Sequence, residues 1–581
     1  MATSGSSNGA AAQTPKVPQL ALSLTLSSGA VFGAALATQL IGFIGSLFLY
    51  KQIGISVDGR VLLGTVQFFL LIGSSINGVG DLRLGTAFTY YLARGKPARD
   101  NTSAYLLIRM MMVAAAGVVI FVIAPLSIAG SQIAAGNAEL TSLGIFLLLP
   151  ILWSFSTVYN QLFIGEGNSL KAQYPGLVES IARLPVLIFV AYRDPTIQGL
   201  TLAYVVGATA STLYSIPALT SRLRKFRWTE GARLFRFAWP LMGSLMLNYF
   251  VTNMIPLIVN AALGAEQLSI FLAANGFRIL VLSLPAAVTT PLFPYLAGLH
   301  RQERYEALRR STWQALRYSS MLLVPGVVAL VTYRYNFLNV FANAAYAQAG
   351  AVPLAILVVG AIPLALSQIM QSSINATGRQ RLELYITSTQ VSVLFAAVFL
   401  LLWPGKLFPP GQGLVAGSVA VLASSAAALA LNTYFMERLI AVHIHARSIA
   451  GITVSAAGAF GAFWLLNHEH LFPVSTWYEL LSAVLLGFAV YFLILAAIGE
   501  LSREDVHRIA RSIGLPAWLY NAAGRLCWRL NSPDLPPVDL SRATALRQTE
   551  LPETFTGTTE MPPFEAIPSE EPPENDRNGP G

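Results

Sequence analysis

From residue 24 to residue 498 the chain is a succession of long apolar runs separated by short polar loops. A membrane-spanning helix needs about 20 mostly apolar residues, and fourteen stretches qualify. Six lie at 24–50, 61–91, 104–129, 141–164, 174–192 and 199–220. Six more lie at 236–262, 267–298, 312–333, 350–374, 384–403 and 413–436, and two follow at 447–466 and 477–498. Gly73, Gly78, Pro240, Pro256, Pro285 and Pro363 fall inside these runs. Such residues are tolerated within a bilayer and mark kinks. The pattern predicts an all-α integral membrane protein.

Charge gives the runs a direction. Between the sixth and seventh spans, Ser221 to Pro240 holds Arg222, Arg224, Lys225, Arg227, Arg233 and Arg236. With the N-terminus inside, the inner loops carry nineteen Lys and Arg, and the outer loops carry five. That asymmetry predicts both termini inside and an even number of spans. Reporter fusions at Gly136, Ala265 and Asn467 are expected to read outside, and those at Gly95, Glu230 and Arg379 inside. An outside signal at Glu230 would overturn a division into two halves at this loop.

The two halves resemble each other. The second span ends Tyr91-Leu92-Ala93-Arg94 and the eighth Tyr295-Leu296-Ala297-Gly298. The fourth runs out through Asn160-Gln161 to Gly165, and the tenth through Met370-Gln371 to Gly378. The sixth opens at Gly199-Leu200 and the twelfth at Gly413-Leu414. The offsets, 204, about 210 and 214, are nearly constant. Six spans in each half make a parallel repeat, with a substrate site expected between the lobes. The expected organisation is a disordered tail at 1–19, an N-lobe at 20–221, a hinge loop at 222–236 and a C-lobe at 237–437. Two further spans occupy 438–499, an amphipathic helix on the inner surface 500–531, and a disordered acidic tail 532–581.

Composition agrees and adds detail. The 581 residues are 54% hydrophobic and only 11% charged, against about 25% charged in soluble domains; mean hydropathy is +0.58. The net charge of +9 conceals a tail from Asp534 with ten acids and three bases. The remaining excess of positive charge suits anionic lipid rather than nucleic acid. One cysteine, Cys527, excludes a disulfide framework within the chain. After the last span, Ser502-Arg503-Glu504-Asp505 is a helix-start signal, with Ser502 as the cap.

Twelve spans in two sixes plus two more resemble the multidrug/oligosaccharidyl-lipid/polysaccharide exporter superfamily, and within it the Wzx-type polysaccharide flippases. The residues carrying the resemblance are Ile374-Asn375-Ala376-Thr377-Gly378-Arg379-Gln380-Arg381, the Arg278…Pro285…Pro291…Pro294 pattern, and Gly499-Glu500-Leu501-Ser502-Arg503-Glu504-Asp505. It covers roughly 20–500. Members often end the first span with an Arg-x-Leu-Gly-like motif. Here Tyr50-Lys51-Gln52-Ile53-Gly54 stands there, and Lys51 keeps the charge without the guanidinium fork. The resemblance implies transport of an undecaprenyl-diphosphate-linked oligosaccharide across a bacterial inner membrane. The expected partners are that lipid-linked substrate and membrane lipids, together with contacts to the polymerase and glycosyltransferases of the pathway. A monomer without cofactor or metal is expected.

Ionisable groups within spans are costly and are therefore candidates for function. Arg278 lies about a dozen residues into the eighth span and could grip a diphosphate bidentately; the alternative is a structural pairing with a neighbouring helix, such as with Glu179. Arg183 and Lys51 are the other candidate cavity cations. Glu179 and Arg183 stand at i, i+4, either as a self-satisfied pair or as one that opens during transport. Asp81 and Arg83 are either a gate or interfacial charges. Arg109 and Arg317 are expected to snorkel to the inner surface. Asn253 and Asn260 share a face of the seventh span, Asn248 is turned away from it, and Asn275 sits beside Arg278. Such amides serve either a coupling ion or helix–helix hydrogen bonds.

Other chemistries find little support. His468-Glu469-His470 lacks the H-E-x-x-H spacing of a zinc helix, and Gly165-Glu166-Gly167-Asn168-Ser169-Leu170-Lys171 is not a P-loop. Direct use of ATP is therefore not expected. A drug/cation antiporter shares the fold, but typically with twelve spans. A membrane glycosyltransferase, polymerase or ligase needs a large outer loop bearing acid/base groups, and the outer loops here are short.

Overall fold

The structure is a computed structural model. It describes residues 17–93, 98–129, 137–402, 412–440, 442, 446–468, 476–503, 505, 506 and 527. Every regular element among them is a helix. The first half contains α1 (Val17–Gln52), α2 (Val57–Asp81), α3 (Leu84–Ala93), α4 (Ala98–Ala129), α5 (Asn137–Phe146), α6 (Leu148–Gly165), α7 (Ser169–Arg193) and α8 (Ile197–Thr220). The second contains α9 (Trp228–Leu263), α10 (Ala265–Arg301), α11 (Tyr305–Thr332), α12 (Arg334–Phe341), α13 (Ala344–Val359), α14 (Ala361–Ala376), α15 (Gln380–Leu402) and α16 (Gly413–Ile440). α17 (Ala446–His468) and α18 (Trp477–Ile498) close the series.

In hydrocarbon a backbone must satisfy its own hydrogen bonds, so apolar runs become helices. Thirteen helical stretches among the described residues are long and apolar enough to cross a membrane, and α1 adds a helix of 36 residues. Side chains close several exposed ends. Ser56 accepts from the Gly59 amide, Thr196 from Gly199, and Asn343 from Ala345. Thr476 and Glu479 cap each other's backbone at the start of α18.

The predicted spans correspond to these helices with five differences. The second breaks between α2 and α3, the fourth between α5 and α6, and the tenth between α13 and α14. The two-turn α12 was not anticipated, because eight residues are too few for a periodic signal. α9 begins at Trp228, ahead of the predicted 236, so the non-helical linker is shorter than expected. The acidic tail lies outside the described residues, as does the expected amphipathic helix beyond Val506.

Helix pairings recur between the halves. α7 packs along α8 as α15 packs along α16; α6 meets α8 as α14 meets α16. α1 lies on α7 as α9 lies on α15, and α2 meets α4 as α10 meets α11. α2 and α10 are the main contact between the lobes. Leu63, Val66 and Phe69 share one core with Leu268, Phe271 and Phe277. Their crossing is tight at Gly64, where an added Cβ would lie 1.8 Å from the Ala265 carbonyl oxygen. Only glycine permits that approach. α9 bridges the two halves. Its Leu234, Ala238 and Met242 pack with Leu84, Phe88 and Leu162 of the first half, and its Ile255 and Val259 join the central core. The pair α17–α18 rests on α11 through Tyr333, Phe463 and Tyr491.

Candidate functional site

Arg278 lies 13 residues after the start of α10, about 20 Å along the axis at 1.5 Å per residue, which is mid-membrane depth. Its Nη1 donates to Asn275 Oδ1 at 2.9 Å, one turn back. Its Nε is buried and has no hydrogen-bond partner among the described residues. No carboxylate among them forms an ion pair with it. Glu179, the sequence-based alternative, is engaged elsewhere: it pairs with Arg183 at 3.7 Å and accepts from Trp153 Nε1 at 3.1 Å.

Arg183 also stacks on the Tyr204 ring at 4.8 Å. A Cβ added at Gly42 of α1 would lie 3.3 Å from its Nη2. The neighbouring Phe43 packs edge-on against Phe277, with ring centroids 5.0 Å apart. α1 therefore separates the Glu179–Arg183 pair on α7 from Arg278 on α10, at the same level. Both clusters sit beside α1, and no hydrogen bond or ion pair among the described residues joins them.

Lys51 is elsewhere. It closes the end of the lobe interface that also holds Arg60, donating to the Val340 carbonyl at 3.3 Å. Asn343 Nδ2 donates to the Tyr50 carbonyl at 3.0 Å, and the Ser269 and Tyr346 hydroxyls are 2.6 Å apart. Arg60 Nε and Nη2 both reach Glu266 Oε1 at 2.8 Å. The Lys51, Asn343 and Arg60 contacts fasten the two lobes together at this end, and the Ser269–Tyr346 contact ties α10 to α13 within the second lobe.

At the opposite end, Asp81 binds Arg109 at 2.6 Å and accepts from the Tyr105 hydroxyl at 2.5 Å. Arg109 Nη2 also donates to Asn77 Oδ1 at 2.5 Å. The expectation that Arg109 snorkels is overturned: it is 0% exposed, because a carboxylate at matching depth on α2 holds it inside. The chain then passes through Leu82 (φ 40°) and Arg83 (φ 62°). Left-handed backbone costs a residue with a Cβ about 1–2 kcal/mol, and here it breaks the span. The break directs Arg83 to Glu383 of α15 at 3.7 Å, and Glu383 also accepts from Asn375 Nδ2 at 2.7 Å. Of the two charges singled out at this end, Asp81 is bound within the N-lobe and Arg83 crosses between lobes.

The asparagines of α9 do not converge on one centre. Asn248 is exposed. Asn253 Nδ2 donates to its own helix at Tyr249 O, 3.4 Å away. Asn260 Oδ1 is buried and without a partner among the described residues. No group of three or more His, Cys, Asp or Glu suited to a metal occurs among the described residues.

Arg317 is also buried rather than snorkelling. Its Nε meets Glu500 Oε1 at 3.0 Å, and its Nη2 meets Asp505 Oδ2 at 3.0 Å and the Glu500 carbonyl. Ser448 donates to Glu500 at 2.5 Å, and the Tyr318 hydroxyl donates to Asp505 at 2.6 Å. Ser502 caps as predicted, accepting from the Asp505 amide at 3.1 Å. Arg503 Nε reaches the Cys527 carbonyl at 3.0 Å. The segment after α18 is thus clasped to α11. Sequence reasoning missed the clasp, although the acids at 500 and 505 and an in-span arginine were its visible signal.

Comparison with known proteins fits this geometry. A family model described as polysaccharide biosynthesis protein matches residues 94–351, a region that contains Glu179, Arg183 and Arg278. No curated protein matches in sequence. Among solved structures, the lipid II flippase MurJ in an inward closed conformation superposes with a TM-score of 0.66 at 13% identity, covering 80% of this chain and 98% of that one. An inward-facing multidrug resistance MATE family transporter of the MOP superfamily gives 0.55 at 14% identity, covering 70% and 94%. The chain has the fold of the MOP exporter superfamily. A MOP superfamily transporter from Pyrococcus furiosus gives 0.53 at 15% identity, covering 73% and 96%. The MOP fold accounts for the recurring helix pairings, and in this chain α17–α18 are set against the C-terminal half.

Proposed function

We propose that this protein moves a polyprenyl-diphosphate-linked oligosaccharide across a bacterial inner membrane by alternating access between its two lobes. The observation that carries this reading is Arg278: a mid-membrane guanidinium with a neutral neighbour and no carboxylate partner among the described residues. A cation left uncompensated at that depth is costly. An anionic cargo supplies the missing partner, and a diphosphate matches the fork of an arginine. The same cation repels positively charged drugs, which counts against the antiporter reading. The polysaccharide family match and the likeness to the MurJ flippase support the cargo class. The reading includes no catalytic step: the chain binds and reorients, and both termini lie on the Arg83 side. The polymerase and glycosyltransferases of the pathway are its proposed neighbours, and it acts as a monomer.

Arg60–Glu266 and Arg83–Glu383 join the lobes at opposite ends of the interface, so opening either side requires one of them to part. Glu266→Gln is expected to loosen the Arg60 end, because a charged partner is replaced by a neutral one. A cysteine placed at Ala347 should then react faster with an impermeant thiol reagent from the outside, with Cys527 replaced by serine. Unchanged labelling in Glu266→Gln would remove the gate from this account. In cells, deletion of the protein should cause lipid-linked oligosaccharide to accumulate on the inner leaflet and deplete surface polysaccharide; a normal surface coat would refute the cargo assignment.

A further inference from the structure

α9 is longer than a membrane requires. Its 36 residues extend about 54 Å at 1.5 Å per residue, against a hydrocarbon core of about 30 Å. Counted back from Leu263, its first turns reach headgroup depth on the Arg83 side. There one face packs inward: a Cβ at Gly231 would meet Ile108 at 2.8 Å, and Leu234 and Ala238 are fully buried. The adjacent face, about a quarter-turn round the helix at 3.6 residues per turn, carries Trp228, Phe235 and Trp239, spaced by seven and four residues and therefore aligned. They are 68%, 39% and 66% exposed, and the Phe235 and Trp239 rings lie 5.7 Å apart.

Cations accompany these rings. Of the basic residues here, Arg222 pairs with Glu166 and Arg233 with Glu230. Lys225, Arg227 and Arg236 are exposed and have no ion pair among the described residues. Exposed indoles beside unpaired cations, at headgroup depth, match a lipid that offers both an apolar chain and a negative phosphate. We propose that the linker and the first three turns of α9 form a binding surface for an anionic phospholipid. The rings lie against its acyl chains, and Lys225, Arg227 and Arg236 lie against its phosphate. Because this linker joins the lobes, the bound lipid anchors the joint at a fixed depth. The site is independent of Arg278 and of the cargo reading.

The test is a titration of the purified full-length protein, in neutral detergent, with phosphatidylglycerol or phosphatidylcholine bearing brominated chains, read as tryptophan quenching. Brominated phosphatidylglycerol should quench at much lower concentration than the phosphatidylcholine. The difference should vanish in Trp228→Phe/Trp239→Phe, which identifies the reporting rings. Lys225→Gln/Arg227→Gln/Arg236→Gln should raise the half-quenching concentration of phosphatidylglycerol on the order of a hundredfold, from three surface charges. Raising salt about tenfold should weaken phosphatidylglycerol quenching in the parent protein without affecting phosphatidylcholine, a result that needs no variant. Equal quenching by the two lipids means that the rings only contact hydrocarbon, and overturns the proposal. A neutralised variant that titrates like the parent overturns it as well.

Discussion

An Arg317→Ala protein is expected to lose about 3–5 kcal/mol of stability, because it leaves Glu500 and Asp505 buried without their cation. Both acids are nearly inaccessible, at 3% and 0% exposure, so water cannot replace the guanidinium. The effect should appear as a lower midpoint in thermal unfolding of the detergent-purified protein, with reduced membrane levels in cells. Adding Glu500→Gln and Asp505→Asn to Arg317→Ala should recover much of the loss, since neutral amides tolerate burial far better than unpaired charges. A single Arg317→Ala variant that unfolds at the parent's temperature would mean that the clasp is not formed in the membrane. The clasp joins α11, the start of α17 and the segment after α18, so the appended pair is expected to move with the second lobe.

Arg278→Ala is expected to abolish transport while the protein inserts at parental levels. The stability side of this expectation rests on the partners: Arg278 donates to one neutral amide on its own helix, so its removal strands no buried carboxylate. Removing an unpaired cation from mid-membrane should even stabilise the empty protein slightly. Arg278→Lys should retain part of the transport, because charge persists while the bidentate fork is lost. Surface polysaccharide and membrane protein, quantified together in complemented cells, separate the possibilities. Normal polysaccharide with Arg278→Ala at parental protein level would remove Arg278 from the mechanism.

Much of the architecture was legible because hydrocarbon imposes one rule. Apolar runs of spanning length have to be helices, and their number and the repeat at Gly199 and Gly413 follow from position alone. The breaks were less legible. Leu82 and Arg83 adopt left-handed backbone without glycine, so no residue type announces the turn. The fates of Arg109 and Arg317 were misjudged for a common reason. Each was judged by its distance from a span end, whereas its position is decided by an acid on another segment: Asp81 on α2, and Glu500 and Asp505 after α18. Lys51 illustrates the converse. Its charge suggested a cavity residue, but its depth puts it at the Arg60 end, on the Val340 carbonyl. The Glu179–Arg183 pair could be read from i, i+4 spacing, yet its Trp153 and Tyr204 partners come from α6 and α8 and had no local signature.

The central claim is that the space between the lobes carries an anionic, diphosphate-linked sugar, and reconstitution tests it most directly. Purified protein in vesicles would be given a polyprenyl-diphosphate disaccharide with a quenchable fluorophore on the sugar, and an impermeant quencher would report leaflet exchange. The account predicts exchange with the parent protein, a protein-free level with Arg278→Ala, and an intermediate level with Arg278→Lys. Parent protein that matches empty vesicles, yet drives a cationic dye across the same membrane down an opposing proton gradient, would contradict it.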